Sequence, residues 1–129
     1  MSKLPTSLEF IQANQAMVNE ELNPYGALEE LQETSEFQEW IGDLQRTDRN
    51  LYRKIESEKL KLMVGLGDRK FERGGVYAYR YHGQPSAFRL YYGIVDSRAW
   101  LLWGDTKPSQ RQQSREIDKA VDLLERLRA

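Results

Sequence analysis

GGVYAYRYHGQPSAFRLYYGIVDSRAWLLWGDTK, residues 74–107, is the one stretch in which a period of two runs through three consecutive segments. Val76–Tyr81, Ala87–Val95 and Ala99–Trp103 read as strands. The turns between them, His82-Gly-Gln-Pro-Ser86 and Asp96-Ser-Arg98, are short enough to make the three antiparallel neighbours. In the middle strand Phe88, Leu90, Tyr92 and Ile94 fall on one face, and Arg89 and Tyr91 on the other. The expectation is a sheet with one apolar face for helices and one face carrying Arg80, Arg89, Tyr79, Tyr81 and Tyr91. A one-residue bulge would invert that assignment.

Upstream of this meander the signals are helical. Thr6-Ser-Leu-Glu9 has the spacing of a capping box behind Pro5. Leu8, Ile11, Val18 and Leu22 form an apolar stripe, which predicts a helix ending at Asn23-Pro-Tyr-Gly26. Ala27–Thr34 is ambiguous between a short strand and a helical turn, and is the candidate for a fourth strand. Ser35 offers the next cap, with Phe37, Trp40, Ile41 and Leu44 at helical spacing behind it. Asp48–Met63 reads as helix, Gly65-Leu-Gly67 ends it, and Asp68–Gly74 reads as a connecting loop carrying Arg69, Lys70 and Arg73. Ser109 with Gln112 caps a last helix whose stripe is Ile117, Ala120, Val121, Leu124 and Leu127. The fold class expected is α+β, a small antiparallel sheet with helices on one side, preceded by an extra N-terminal helix.

The 129 residues suit one domain, with 1–26 as an acidic helical extension and 27–129 as the core. No run is long and apolar enough for a membrane span or a signal peptide, so neither is expected. The absence of cysteine excludes disulfides and thiolate metal sites, and fits a reducing, cytoplasmic setting. One histidine rules out a histidine-rich metal site within one chain, and no metal or other cofactor is expected. The net charge of −1 hides a division. Residues 1–45 hold nine acids and one base, and residues 46–129 eighteen bases and eleven acids, for −8 against +7. The second part alone has the balance of a domain that approaches phosphate backbones. The acidic extension would then mask part of the positive surface, or simply complete the core.

No zinc motif, phosphate-binding glycine loop or nucleophile triad is present. The candidates for chemistry are cations. Arg80 and Arg89 occupy neighbouring strands where they can share a face and clamp a phosphate, and Lys107 leaves the third strand near the same end. Gln110 and Arg111 follow it. Tyr79, Tyr81 and Tyr91 are suited to stacking on bases or donating hydrogen bonds. His82, at a strand end, carries the one side-chain type that ordinarily titrates near neutrality, and is a candidate base or a plain turn residue. A surface network of salt bridges with scattered aromatics would give the same pattern.

Several of these segments, in order, resemble a known family. They are Phe37 with Trp40, Gly67-Asp-Arg-Lys70, Gly75-Val-Tyr-Ala-Tyr-Arg80, Phe88-Arg-Leu-Tyr-Tyr92 and Gly104-Asp-Thr-Lys-Pro-Ser-Gln110. Over residues 34–125 the chain resembles the RelE/ParE-like toxins of toxin–antitoxin modules, closest to the phage-derived, HigB-like branch of addiction-module killer proteins. The resemblance implies a small sheet packed against helices that binds RNA in a basic concavity. It further implies metal-independent cleavage of messenger RNA, in which the ribose 2′-hydroxyl attacks the neighbouring phosphate. By position in the motifs, Arg89, Arg80 and Lys107 would hold the phosphate, with Tyr91 beside them as a further catalytic residue. Gln110 and Arg111 would bind RNA, as would Lys70 and Arg73 through its backbone. No tyrosine or histidine follows Tyr92, so the base would be Tyr91, His82 or a lysine. The partners implied are a cognate antitoxin, messenger RNA or the ribosome, and a second copy of the chain in a homodimer. The alternative is a non-catalytic toxin-fold protein acting on a target such as DNA gyrase, or a phage-derived structural protein.

Overall fold

A computed structural model of the chain describes residues 22–106 and 109–129. The N-terminal helix and its masking role, and the phosphate contact at Lys107, lie outside the described residues. In chain order the elements are β1 (Gln32–Glu33), α1 (Ser35–Thr47), α2 (Arg49–Met63), β2 (Asp68–Arg73), β3 (Val76–Tyr81), β4 (Phe88–Val95), β5 (Arg98–Thr106) and α3 (Gln110–Arg128). They form an α+β fold in which one five-stranded sheet, ordered β1-β5-β4-β3-β2, packs against three helices.

The three strands β3, β4 and β5 form the expected antiparallel meander, closed at one end by Asp96 and Ser97, both at positive φ as a tight hairpin requires. Three expectations are corrected. Asp68–Gly74 is not a loop: Asp68–Arg73 is an edge strand paired antiparallel to β3. Ala27–Thr34 does contribute a strand, but its two residues run parallel to β5, so the sheet is mixed. The helices do not lie on one side.

Both faces are covered because β4 is apolar on both. Phe88, Leu90, Tyr92 and Ile94 meet Phe37, Leu51, Ile55 and Leu62 of α1 and α2. Tyr91 and Val95 face the stripe Ile117, Ala120, Val121 and Leu124 of α3. Gly93 admits that helix: a Cβ there would stand 2.8 Å from Leu124.

Capping follows the sequence closely. The Ser109 side chain and the Gln112 side chain exchange backbone hydrogen bonds in a full capping box. Asp48 ends α1 and caps α2. At α1 the cap is Thr34 rather than Ser35. Its hydroxyl accepts from Phe37 N at 3.0 Å and donates to Leu102 O at 2.8 Å, tying the helix start to β5. Thr34→Val keeps the shape and loses both bonds at a buried site. It is expected to lower the unfolding free energy by about 2 kcal/mol, read as a shift of the urea midpoint. An unchanged midpoint would remove the cap from the account of α1.

Candidate anion site on the α3 face

Four charged residues stand in one cross-strand row: Asp68 on β2 pairs with Arg80 on β3, Arg80 with Arg89 on β4, and Arg89 with Asp105 on β5. The row exists because of a bulge. Tyr91 pairs with Trp103 but Tyr92 with Leu101, so Leu102 is an extra residue on β5. Ala99 and Leu101 face α1 and α2 before it, and plain alternation would send Asp105 the same way. The extra residue reverses the parity. Gly104 now faces Trp40 of α1, where a Cβ would stand 2.3 Å from the ring, and Asp105 joins Arg89 on the α3 face.

The outer end of the row is closed. Arg80 Nη2 lies 3.0 Å from Asp68 Oδ2, and His82 Nε2 lies 3.1 Å from that same oxygen. The hydrogen bond from Arg80, with the one from His82, holds the Asp68 carboxyl below its ordinary range. The inner end is open. Arg89 Nη1, Arg80 Nε and Asp105 Oδ1 are all buried without a hydrogen-bond partner. Two arginines directly opposite one another repel, and two buried N–H groups without acceptors cost stability unless an acceptor arrives. Both arginines open on a pocket of about 130 Å³ that His82, Ala87 and Gln113 of α3 also line. That is room for a phosphate group and a few waters at ~30 Å³ each. It falls short of the ~300 Å³ at which sites for whole organic ligands begin.

Asp105 lies behind Arg89, only 7% exposed. Burial pushes its carboxyl up to about 6, against the pull of the Tyr91 hydrogen bond and the Arg89 charge. Tyr91 donates to it at 2.6 Å. Burial and that carboxylate push the Tyr91 hydroxyl well above its ordinary value, so it is a fixed donor and not a base.

The expected residues therefore divide. Arg80, Arg89 and His82 come together, and Tyr91 stands behind Arg89. Tyr79 and Tyr81 are corrected: alternation places them on the opposite face from Arg80. Tyr79 is buried and donates to Glu58 at 2.6 Å, and Tyr81 stacks on Phe88 with ring centroids 4.9 Å apart. Arg73 is ion-paired with Asp118 of α3. Lys70 is exposed on β2, 3.6 Å from Glu72, and Gln110 and Arg111 are exposed in the first turn of α3. Asp68, Asp105 and Gln113 were not singled out by sequence reasoning. Reading β2 as a strand would have found Asp68. Among the described residues no cluster of three or more His, Asp or Glu side chains is placed to hold a metal ion, and no helix is long and apolar enough to cross a membrane.

Comparison with protein-family models, with curated proteins and with solved structures gives no match to this chain.

Proposed function

We propose that this chain is a RelE/ParE-like protein that binds single-stranded RNA and cleaves it without a metal, at the pocket between Arg80, Arg89 and His82. One observation carries the reading: two arginines directly opposite one another, each with a buried N–H that lacks a partner, line a phosphate-sized pocket beside an imidazole held by a carboxylate. Arg80 and Arg89 take the non-bridging oxygens, where negative charge builds in the transition state. When His82 Nε2–H donates to Asp68, Nδ1 is the acceptor for the 2′-hydroxyl proton. The 2′-oxygen forms a bond to phosphorus and the bond to the 5′-oxygen breaks. The departing oxygen takes a proton from water, leaving a cyclic phosphate and a 5′-hydroxyl.

Purified protein incubated with RNA is expected to give 5′-hydroxyl ends. Arg89→Ala should lower the rate about a hundredfold, the usual loss when one oxyanion donor is removed. His82→Ala should lower it comparably. The second reading is a binding protein without cleavage, acting on RNA or on a protein target in a toxin–antitoxin setting. It is favoured by the burial of Tyr91, which removes one candidate base. RNA bound through Arg89 with no new ends would establish it. No RNA binding at all would sink both RNA readings.

A further inference from the structure

We infer a second RNA subsite in the groove between α2 and the β3–β4 hairpin, which takes the nucleotides flanking the phosphate held by Arg80 and Arg89. The inference rests on the RNA reading above and adds the path of the strand. Asn50, Arg53, Lys54 and Ser57 recur at helical spacing, so they share one face of α2. Leu51, Ile55, Glu58 and Leu62 turn inward from the same helix. With Gln84 and Pro85 that outer face lines an open groove of about 530 Å³.

Its chemistry suits a single strand. Arg53 and Lys54 supply two cations for backbone phosphates, and no acid lines either this groove or the pocket. Asn50, Ser57 and Gln84 carry donors and acceptors for base edges, and the Pro85 ring offers a flat apolar surface. The two cavities adjoin. Tyr81 lines the pocket, Lys54 lines the groove, and the Lys54 ammonium stands 4.9 Å from the centre of the Tyr81 ring. The hairpin joins them as well, with His82 and Ala87 on the pocket side and Gln84 and Pro85 on the groove side. Tyr81 itself stays between Phe88 and Lys54, its hydroxyl bonded to Gln84 O, so it forms the floor of the path rather than a stacking platform. Lys54 is steadied by Glu58 at 3.5 Å, which leaves it on the groove wall instead of free in solvent.

The test uses the full chain and two non-cleavable 2′-O-methyl oligonucleotides, a 5′-phosphorylated dinucleotide and a hexanucleotide. Binding is followed by fluorescence anisotropy at several salt concentrations. Arg53→Gln with Lys54→Gln is expected to weaken the hexanucleotide about tenfold. It should also reduce its salt slope by about 1.4, at ~0.7 for each lost single-strand phosphate contact. The dinucleotide, held by the pocket, should bind as before. Ser57→Glu, an exposed change that places an acid in the groove, should weaken the hexanucleotide in the same way should the double variant melt early. If Arg89→Ala weakens both oligonucleotides while the groove variants leave hexanucleotide affinity and slope unchanged, the subsite is overturned and the RNA reading stands. If Arg89→Ala weakens neither, the RNA reading falls and the subsite with it.

Discussion

Arg69→Ala is expected to lower the unfolding free energy by about 4 kcal/mol. The guanidinium donates to four carbonyls: Pro24 at 3.1 Å, Gly26, Leu62 at 2.8 Å and Leu66 at 3.3 Å. Those oxygens belong to two separate places, the 22–28 segment and the end of α2 with the turn that follows it. The last carbonyls of a helix lack partners within it, and a cation there also meets the negative end of its dipole. Tyr92 donates to Pro24 O as well, at 2.6 Å, and Leu28 N to Met63 O at 2.9 Å, so the segment is anchored where Arg69 reaches it. Hydrogen bonds to charged groups are worth ~1.5–3 kcal/mol each, and partial exposure of the site brings four of them down to the figure given. Arg69→Lys should recover less than half, because one ammonium cannot span carbonyls that a planar fork reaches together. Urea unfolding at constant slope reads both variants. A midpoint within error of the wild type would mean that these carbonyls are satisfied by water and that the side chain is not what joins the two segments. RNA affinity should be unaffected by either change, since the guanidinium is committed to the fold.

The contrast between Arg69 and Arg89 shows how far the sequence could be read. Period-two alternation and tight turns made β3, β4 and β5 legible, and helical spacing with capping residues did the same for α1, α2 and α3. The edge strands were not legible. Asp-Arg-Lys-Phe-Glu-Arg offers one apolar residue in six, since an edge strand with an open side buries too little to need more. With β2 read as a loop, Arg69, Lys70 and Arg73 looked equivalent. Only the strand register separates Arg69, turned toward α2, from Arg73, tied to α3, and from the exposed Lys70. The two arginines of the site were found because they sit in the legible part. Tyr79 and Tyr81 were placed beside Arg80 although alternation within one strand already sets them apart from it. Asp105 was beyond reach for a different reason. Its side follows from the single extra residue at Leu102, and a bulge leaves no mark in a run such as Ala-Trp-Leu-Leu-Trp that is apolar at every position.

That bulge carries the other large effect. Asp105→Asn is expected to gain about 3 kcal/mol of stability over the wild type as the pH rises from ~4 to ~7. The carboxyl is raised from 3.8 to about 6 in the folded chain, first by burial, with the Tyr91 hydrogen bond and the Arg89 charge offsetting only part of it. A folded state that binds its proton more tightly than the unfolded chain is most stable below the unfolded value. Stability is lost as the pH climbs through the interval and is then level above the folded value. The distance from 3.8 to about 6, at ~1.4 kcal/mol for each tenfold change in affinity, gives the magnitude. The carboxyls of Glu36, Glu58 and Asp68 are displaced the other way, and their contribution is lost as the pH falls toward acid. They are common to both proteins and cancel in the difference, so the measurement is the gap between two urea titrations across pH. Parallel curves would sink the assignment. Asparagine can still accept from Tyr91, which isolates the charge. At neutral pH the charge on this buried carboxylate costs stability, although its oxygen accepts from the buried Tyr91 hydroxyl. Its remaining use is electrostatic: it sets one acid behind Arg89, as Asp68 sets one beside Arg80, so that two opposed guanidinium groups can be held side by side at the pocket.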